Sequence, residues 1–484
     1  MFKKTKIVAT ISDKNCTEEF IEQLHKSGMN VVRLNTAHQE PETMTKVIKM
    51  VRNVSENIAI LIDTKGPEVR TTKCDEPIEY AVGDRVDISG DITQTTVKEH
   101  IYVSYPNFVR DIQVGKHILI DDGTLELVVT SKDDDALHCV VQNKATLGAR
   151  KSVNVPGVRV NLPALTERDK MNIRFAMEAD IAFIAHSFVR SKEDVLEVRK
   201  ILDEQQNSDI RIIAKIENQE GVDNICEILE VADGIMVARG DLGIEVPQEF
   251  IPGIQRKLVY EAIKAHKPVI VATQMLQSMI ENPRPTRTEV TDIANAVYMR
   301  ADALMLSGET AYGAYPVQAV RTMAVIARQA EKDTFERMGD MDFPLSPNPD
   351  ETEFFAKEAV RATRKLKTRA IIMDSYSGRT ARYVSSFRGD SNILAICYKE
   401  KTVRHLALSY GVEAFYMPMK SFGHEFLLAA LRRLLSRRLL TMEDRIIYLG
   451  SHKKEQTTSF MEINKVSKLF ANQEDIELPA PGEA

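Results

Sequence analysis

The stretch that decides the fold runs from residue 211 to residue 243 and reads RIIAKIENQEGVDNICEILEVADGIMVARGDLG. Residues 211–216 are a β-branched run that predicts a strand, and residues 234–238 are an apolar run that predicts a second one. Between them, residues 221–231 carry apolar side chains at helical spacing. Two strands joined by one helix form a parallel βαβ unit, so this stretch indicates a parallel sheet.

Three charged side chains lie where these two strands end. Lys215 and Glu217 are two residues apart, and because side chains alternate along a strand, both point to the same face. Asp241 follows the second strand in a glycine-flanked turn. A cation and two carboxylates at one edge of neighbouring strands predict a site that holds a divalent metal and an anionic substrate together.

The composition of the chain narrows the class of protein. A length of 484 residues predicts about three domains, and 43% hydrophobic with 28% charged residues is typical of a soluble globular protein. The net charge of -6 argues against a nucleic-acid binder. The five cysteines form no C-x-x-C pair, and no apolar run is long enough for a signal peptide or a membrane span. We therefore expect a cytoplasmic protein that binds neither nucleic acid nor membrane.

The strand–helix pattern repeats on both sides of the opening stretch. The predicted strands are residues 7–11, 30–34, 59–63, 181–186, 211–216, 234–238, 268–273 and 303–306. Helical patterns lie between nearly all of them. Eight strands favour a (β/α)8 TIM barrel, with a doubly wound sheet as the alternative, and in such a barrel the active site lies at the carboxyl ends of the strands.

Two segments differ from this pattern. Residues 68–161 contain short strands bounded by turn residues, which predict a small β-barrel domain inserted in a barrel loop. That domain is either a lid over the site or a packing module without that role. Prolines within residues 344–349 mark a linker, and residues 337–484 predict a C-terminal α/β domain with a regulatory role. The catalytic barrel then comprises residues 1–67 and 162–336.

Polar residues cluster at the predicted strand ends. They are Arg33, Asn35, His38, Asp63, Thr64, Lys65, Glu68, Arg70, Lys215, Glu217, Arg239, Asp241, Thr273, Gln274, Ser307 and Glu309. Any one of them alone is more often a hydrogen-bonded or solvated loop residue, but cations and acids at one rim suit an anion bound through metal, as phosphoryl transfer requires. The sequence carries no Walker-type phosphate loop and no protein-kinase signature.

These residues lie in runs that closely resemble the pyruvate kinase family. The matching runs are 5–11 (TKIVATI), 28–35 (GMNVVRLN), 63–70 (DTKGPEVR), 162–169 (LPALTERD), 213–222 (IAKIENQEGV), 233–243 (DGIMVARGDLG), 272–279 (ATQMLQSM) and 305–310 (MLSGET), in the family's order. The resemblance implies an (α/β)8 barrel, a mobile β lid, and transfer of the phosphoryl group of phosphoenolpyruvate to ADP in glycolysis. It also implies a homotetramer.

The resemblance implies two metal sites. Glu217 and Asp241 match the family's ligands for Mg²⁺ or Mn²⁺, and hard carboxylate oxygens suit such an ion. Asn35, Asp63 and Thr64 match the set that binds K⁺.

The potassium set departs from the family pattern at one position. The family usually has serine where this chain has Ala37, so one hydroxyl ligand is missing. Glu68 is the acid that potassium-dependent members carry. We expect the enzyme still to use K⁺, with water replacing the missing hydroxyl.

The resemblance also implies which side chains are catalytic. Lys215 matches the lysine beside the transferring phosphoryl group and the enolate oxygen, where a fixed cation stabilises developing negative charge. Arg33 matches the phosphate-binding arginine, and Arg70 would assist it at the lid hinge. Thr273, near the substrate carboxylate, and Ser307 match residues associated with the proton relay that converts enolpyruvate to pyruvate.

Further residues are implied in binding the two substrates. The backbone N–H groups of Gly240 and Asp241 would hold the substrate carboxylate, since the start of a helix favours anions. Asn35, His38 and Arg70 are expected to contact the nucleotide.

A candidate effector site lies in the C-terminal domain. The turn of residues 375–380 follows a strand and starts a helix, which is the geometry of a phosphate-binding turn and also of an ordinary βα connection. By resemblance it aligns with the loop that holds a sugar-phosphate effector. The residues concerned are Ser375, Ser377, Gly378 and Thr380. The family's second effector loop, here residues 451–458, has no internal glycine, which argues against the usual fructose-bisphosphate response.

Two other classes of protein share part of this pattern. A metal-dependent aldolase or lyase barrel that handles phosphoenolpyruvate or pyruvate would have the acidic pair but would not need Lys215, Thr273 and a lid together. A catalytically inactive barrel acting as a scaffold would have no reason to retain the charged rim. Formation of pyruvate that depends on ADP separates the first class from a pyruvate kinase.

Overall fold

We describe the protein from a computed structural model. The residues that it describes are 3–158, 160–204, 209–337, 343–418, 423–451 and 457–471. Among them, no helix is both long enough and apolar enough to cross a bilayer.

The chain begins with strands and helices in alternation. They are β1 (Lys6–Thr10), α1 (Glu18–Ser27), β2 (Val31–Asn35), α2 (Pro41–Val54) and β3 (Ala59–Asp63). Helix α1 shows how local sequence sets these bounds: the Thr17 hydroxyl accepts the Phe20 N–H at its start, and Gly28 ends it with a φ of 124°.

A sheet domain follows β3 and interrupts the alternation. Its elements are β4 (Ile78–Tyr80), β5 (Arg85–Ser89), β6 (His100–Tyr102), α3 (Phe108–Asp111), β7 (His117–Ile120), β8 (Leu125–Lys132), β9 (Leu137–Val141), β10 (Ala145–Leu147) and β11 (Val153–Asn154). They form a six-stranded sheet in the order β11-β7-β8-β9-β5-β6 and a two-stranded sheet of β10 and β4. Side chains such as Ile88, Ile101 and Leu127 form a core separate from that of the barrel. The predicted insertion of a β domain is confirmed, but its strands form two separate sheets rather than the predicted small barrel.

The alternation resumes after the insert. The elements are α4 (Glu167–Glu178), β12 (Phe183–His186), α5 (Lys192–Asp203), β13 (Arg211–Ile216), α6 (Gln219–Asp223), α7 (Ile225–Val231), β14 (Gly234–Ala238), α8 (Arg239–Glu245), α9 (Ile251–Lys264), β15 (Val269–Ala272), α10 (Arg287–Tyr298), β16 (Ala303–Leu306), α11 (Gly308–Ala311) and α12 (Pro316–Arg337).

The eight barrel strands close on themselves. Their order is β1-β16-β15-β14-β13-β12-β3-β2, and every neighbouring pair is parallel. Alternate strand residues form one compact cluster that fills the barrel: Val8, Val31, Leu61, Ala185, Ile213, Met236, Ile270 and Met305. The (β/α)8 barrel is confirmed, and the doubly wound alternative is excluded because no strand is left at an edge.

Two local predictions within the opening stretch need correction. The helix predicted over residues 221–231 is two helices, α6 and α7, that meet at Asn224. The amide of Asn224 donates to the Arg190 carbonyl, which ties this residue to the preceding βα loop where the helix breaks. Asp241 lies in the first turn of helix α8 rather than in a turn. A carboxylate is favoured there by the positive end of the helix dipole.

The C-terminal region forms a separate α/β domain. Its elements are α13 (Glu351–Leu366), β17 (Ala370–Ser375), α14 (Arg379–Ser386), β18 (Asn392–Cys397), α15 (Glu400–His405), β19 (Val412–Tyr416), α16 (His424–Ser436), β20 (Arg445–Gly450), β21 (Phe460–Lys465) and α17 (Val466–Leu469). The sheet order is β19-β18-β17-β20-β21, with β21 antiparallel at the edge. The predicted domain is confirmed, whereas its boundaries stay a prediction.

Candidate active site

Lys215 is the centre of the charged rim. It lies on β13, and its Nζ is 2.9 Å from Glu217 Oε1, 3.1 Å from Asp63 Oδ1 and 2.7 Å from Ser187 Oγ. Burial by itself would lower the pKa of Lys215, but the neighbouring carboxylates raise it above its ordinary value. The ammonium group is therefore a permanent, fixed positive charge at the carboxyl end of the barrel.

Asp63 joins this lysine to Arg33. Its Oδ2 accepts a hydrogen bond from Arg33 Nε at 2.7 Å, and Arg33 Nη1 donates to Thr10 Oγ1 at 2.9 Å. Burial alone would raise the pKa of Asp63, but Arg33 and Lys215 together hold it below its ordinary value. The strands β1, β2, β3 and β13 thus contribute to one continuous network.

Glu217 is a buried carboxylate beside Lys215. It is 1% exposed, and its Oε2 accepts the Phe188 N–H at 2.6 Å. Burial raises its pKa, Lys215 opposes that effect, and the nearby negative charge of Asp241 adds to it. Two mutually repelling carboxylates favour a cation between them, since such an ion stabilises the charged form of both.

Glu217 and Asp241 fit the donor set of a Mg²⁺ site. Both line one cavity, together with Arg70 and Arg190. Among the described residues, no group of three or more His, Cys, Asp or Glu side chains forms a complete metal site. Two carboxylates suit Mg²⁺ nonetheless, because this ion commonly keeps water and substrate oxygens as its remaining ligands.

Thr273 links the ends of two neighbouring strands. Its hydroxyl accepts the Gly240 N–H at 2.8 Å and donates to the Ala272 carbonyl at 2.7 Å. Thr273 has a φ of 66° and Gln274 a φ of 55°, both in the left-handed region. Such strain persists only where the surroundings impose it, which is common at functional sites.

Arg239 imposes the conformation of Thr273. Its Nη2 donates to the Thr273 carbonyl at 2.6 Å, and its Nη1 binds Asp292 at 2.7 and 2.8 Å. The sequence placed Arg239 at the rim without a role, and Asp292 was missed. No local pattern reveals that Asp292, on helix α10, faces this arginine.

Ser307 follows β16 at the same rim. Its N–H donates to Glu309 Oε2 at 2.8 Å, and its side chain is partly buried. Glu309 also accepts the Leu276 N–H at 3.0 Å, so this acid braces the loops after β15 and β16. Ser307 and Thr273 therefore stand on neighbouring, mutually supported loops.

Ser187 is a residue of the site that the sequence does not predict. Its hydroxyl accepts from Lys215 and donates to the Thr64 carbonyl at 2.7 Å, and its N–H donates to Thr64 Oγ1 at 3.1 Å. The predicted rim contained no residue after the strand at 181–186, although Ser187 directly follows it. Extending the rim to every strand end would have found it.

The predicted potassium ligands lie at the ends of two neighbouring strands. Asn35 and Asp63 are register partners on β2 and β3, and Thr64 follows directly. The Asn35 Oδ1 accepts the Ala37 N–H at 3.1 Å, and Asp63 is engaged by two cations. The oxygens are thus at adjacent strand ends, each with a partner of its own.

A cavity of about 960 Å³ lies between the barrel rim and the inserted domain. Of the three residues predicted to contact the nucleotide, Arg70 lines this cavity, whereas Asn35 and His38 lie outside its lining. Arg70 Nε donates to Glu68 Oε2 at 2.6 Å, and its Nη1 donates to the Arg150 carbonyl at 2.8 Å. Arg70 thereby ties the insert to the connection through which the chain enters it.

The candidate effector turn connects β17 to α14. Gly378 has a φ of 78° and its N–H donates to Ser375 Oγ at 2.9 Å, while Ser377 is exposed. Thr380 Oγ1 is 2.9 Å from Thr458 Oγ1, so the turn lies beside the end of the second predicted loop. Residues 452–456 of that loop lie outside the described residues.

The chain is similar to pyruvate kinases over nearly its whole length. Residues 2–320 match the description "Pyruvate kinase, barrel domain", and residues 353–464 match "Pyruvate kinase, alpha/beta domain". A pyruvate kinase of Borreliella burgdorferi is 45% identical over 473 residues, which cover 96% of this chain and 98% of the relative. One of Staphylococcus aureus is 42% identical over 485 residues, covering 98% and 82%.

A solved structure agrees with these relatives. The crystal structure of a pyruvate kinase from Cryptosporidium parvum has a TM-score of 0.90 to this chain at 35% sequence identity, and the match covers 96% of each chain. The likeness therefore extends from the barrel through the insert to the C-terminal domain. This chain belongs to the pyruvate kinase family.

Proposed function

We propose that this chain transfers the phosphoryl group of phosphoenolpyruvate to ADP at the carboxyl rim of its barrel, giving pyruvate and ATP. The observation that carries the proposal is the position of Lys215, whose Nζ lies 2.9 Å from Glu217 and 3.1 Å from Asp63 at the carboxyl end of the barrel. A fixed ammonium group between carboxylates suits a reaction in which negative charge grows on an enolate oxygen.

Glu217 and Asp241 would hold Mg²⁺ or Mn²⁺. When bound, the ion would neutralise phosphate charge and align the two substrates. Asn35, Asp63 and Thr64 would bind K⁺, with water in place of the hydroxyl that Ala37 lacks. The requirement for each ion is part of the proposal.

The remaining roles follow from where the side chains lie. Arg33, whose Nη1 donates to Thr10 Oγ1 at the same rim, would bind the transferring phosphoryl group with help from Arg70. Lys215 would stabilise the enolate oxygen while the phosphoryl group leaves. Thr273 and Ser307, on neighbouring loops, would deliver the proton that converts enolpyruvate to pyruvate.

The substrate carboxylate would lie at the start of helix α8. The N–H groups of Gly240 and Asp241 point to such a role, although the Gly240 N–H donates to Thr273 Oγ1 in this structure. The carboxylate would replace that bond and leave the threonine hydroxyl available for the proton relay.

The inserted domain, the effector turn and the oligomeric state also have proposed roles. The insert would act as a lid that brings Arg70 to the nucleotide, with Asn35 and His38 contacting ADP from the barrel. The turn of residues 375–380 would take a sugar-phosphate effector. The protein would be a homotetramer that serves glycolysis in the cytoplasm. We propose the domain limits predicted from the sequence: residues 1–67 and 162–336 for the barrel, 68–161 for the insert and 337–484 for the C-terminal domain.

A coupled assay tests the proposed reaction. The formation of pyruvate is measured while ADP, Mg²⁺ and K⁺ are omitted in turn, and each omission should lower the rate. Pyruvate formed from phosphoenolpyruvate at an equal rate without ADP would instead indicate a hydrolase that transfers the phosphoryl group to water. A titration with sugar phosphates at low phosphoenolpyruvate tests the effector site.

A further inference from the structure

We propose that Asp169 is a positioning residue that pins both connections between the barrel and the insert. Asp169 is fully buried in the first turn of helix α4. Its two oxygens accept hydrogen bonds from the segment that leaves the barrel and from the segment that returns to it. One carboxylate therefore joins two parts of the chain that are about a hundred residues apart in sequence: residues 65–66 and residue 166.

The segment that leaves the barrel is bound by one oxygen. Asp169 Oδ1 accepts the Lys65 N–H at 3.1 Å and the Gly66 N–H at 3.4 Å. These residues directly precede Glu68 and Arg70, the charged pair at the entrance to the insert. The bonds thus set the direction in which the chain enters the insert.

The segment that returns is bound by the other oxygen. Asp169 Oδ2 accepts the Thr166 N–H at 3.1 Å and the Thr166 hydroxyl at 2.6 Å, and the Asp169 N–H donates back to Thr166 Oγ1. This is a capping box, which by itself would serve only to start α4. The bonds to Lys65 and Gly66 are additional, and no helix start requires them.

Gly66 lies against Phe188 and Ser187, two residues that hold the charged rim. Its φ is 71°, and an added Cβ would lie 2.7 Å from the Phe188 ring and 2.9 Å from Ser187 Cβ. Phe188 N–H holds Glu217 at 2.6 Å, and the Ser187 hydroxyl binds Lys215 at 2.7 Å. A displacement of residues 65–66 would therefore move the groups that orient the metal carboxylate and the central lysine.

The inference deepens the proposed function and rests on it for the meaning of Glu217 and Lys215. In this role Asp169 aligns the insert with the rim and contacts neither substrate. The consequence is that losing the Oδ1 bonds should disturb the rim even where helix α4 remains capped and folded.

Asp169→Asn tests the pin, with Thr166→Ala as its matched control. Asparagine offers only one accepting oxygen, and the shorter bonds to Thr166 favour keeping that oxygen on the helix cap. Its N–H₂ group then faces Lys65 and Gly66 and cannot accept from them, whereas Thr166→Ala weakens only the cap. Hydrogen exchange of the peptide spanning residues 64–67 should become at least tenfold faster in Asp169→Asn and stay within about twofold in Thr166→Ala. Equal acceleration in both variants would reduce Asp169 to a helix cap and overturn the inference.

Gly66→Ala provides a second test that leaves Asp169 intact. We expect the dissociation constant for Mn²⁺, measured by electron paramagnetic resonance without substrates, to rise at least fivefold as Phe188 and Glu217 shift. Gly253→Ala on α9 is the control, since an added Cβ there meets nothing within 4 Å. Unchanged Mn²⁺ affinity in Gly66→Ala would refute the coupling of this segment to Glu217.

The two readouts separate this inference from the proposed reaction. A wild-type protein that forms no pyruvate from phosphoenolpyruvate and ADP would remove the proposed function while leaving the exchange result for Asp169 standing. Normal turnover and Mn²⁺ affinity in Asp169→Asn, with rapid exchange of residues 64–67, would overturn the positioning role and leave the proposed function in place.

Discussion

Two buried clusters of charge lie at opposite ends of the barrel and differ in how completely they are paired. At the amino end, Arg388 of the C-terminal domain donates to Asp302 through Nη1 at 2.9 Å and through Nη2 at 2.6 Å. Asp302 also accepts the N–H groups of Tyr410 and Val269. Within this ion pair one guanidinium group faces one carboxylate, and each oxygen of that carboxylate also accepts a backbone N–H.

The carboxyl end is not balanced in this way. Two cations, Arg33 and Lys215, face three carboxylates: Asp63, Glu217 and Asp241. Asp63 and Glu217 are buried and Asp241 is half-buried, so this surplus of negative charge is unfavourable unless a further cation joins it. A ligand site thus differs from a structural contact because some of its charges have no partner of opposite sign, and not because its charges are buried.

Lys215→Met gives the largest expected effect and tests the carboxyl-end cluster directly. Turnover should fall by about 10²–10³-fold, because a group aimed at developing negative charge is lost. Mn²⁺ binding should be largely retained, since Glu217 and Asp241 remain. The control is Lys264→Met, an exposed lysine on α9 that should leave turnover unchanged. Full activity of the Lys215 variant would remove its assigned role.

Arg388→Met tests the amino-end cluster, where stability rather than chemistry should change. Breaking a buried pair leaves Asp302 unpaired, so the free energy of unfolding should fall by about 3–5 kcal/mol. Urea denaturation measures it. Arg361→Met is the matched control, because its pair with Glu358 is exposed and should contribute at most about 1 kcal/mol. Equal losses of unfolding free energy in the two variants would show that the buried pair stabilises the protein no more than the exposed pair does.

His405 gives a smaller, pH-dependent effect near the same amino-end contact. Burial, with the positive charges of Arg211 and Arg382, lowers its pKa from 6.5 to about 4. The unfolded chain therefore binds a proton at a higher pH than the folded chain does, and stability is lost as the pH falls from 6.5 towards 4.

His405→Gln should reduce that loss of stability by about 2–3 kcal/mol. The difference in unfolding free energy between variant and wild type, measured at pH 7 and pH 4.5, is the readout. If the unfolding free energy of His405→Gln changes with pH as steeply as that of the wild type, then the fold does not lower the pKa of His405.

Ala37→Ser gives the smallest expected effect and sharpens the account of the carboxyl end. An added hydroxyl ligand would contribute about 1 kcal/mol, so the K⁺ concentration for half-maximal activity should fall about fivefold. Ala37→Val adds bulk without an oxygen and should not lower it. A rate that is independent of K⁺ in the wild type would rule out the potassium site altogether.

Much of the fold could be predicted because its signals are local. The alternation of β-branched runs with helical patterns predicted all eight barrel strands, and the same alternation put Lys215 and Glu217 on one face. The edge strand β21 carries no such signal, because its sequence, FMEINK, is half polar and it pairs antiparallel with β20. Pairing of that kind is decided by the neighbouring strand rather than by the strand's own pattern.

Much less of the site could be predicted. Residue type and position pointed to Glu217 and Asp241, but nothing near Asp292 in the sequence indicates that it holds Arg239, and nothing near Ser187 indicates that it binds Lys215. The left-handed backbone of Thr273 and Phe188 is likewise invisible in the sequence, because neither residue type favours it. Long-range contacts impose these conformations.

The amino-acid sequence by itself determined the barrel, the insert, the C-terminal domain and the residue types at the carboxyl rim, since each depends on short-range periodicity or on a contiguous motif. Only the tertiary structure decided which charges are paired and which are left in surplus. It also decided that one carboxylate, Asp169, binds both connections to the insert. The physical reason is that such contacts join strands and loops distant along the chain, and the closure of the barrel alone brings them within hydrogen-bond distance.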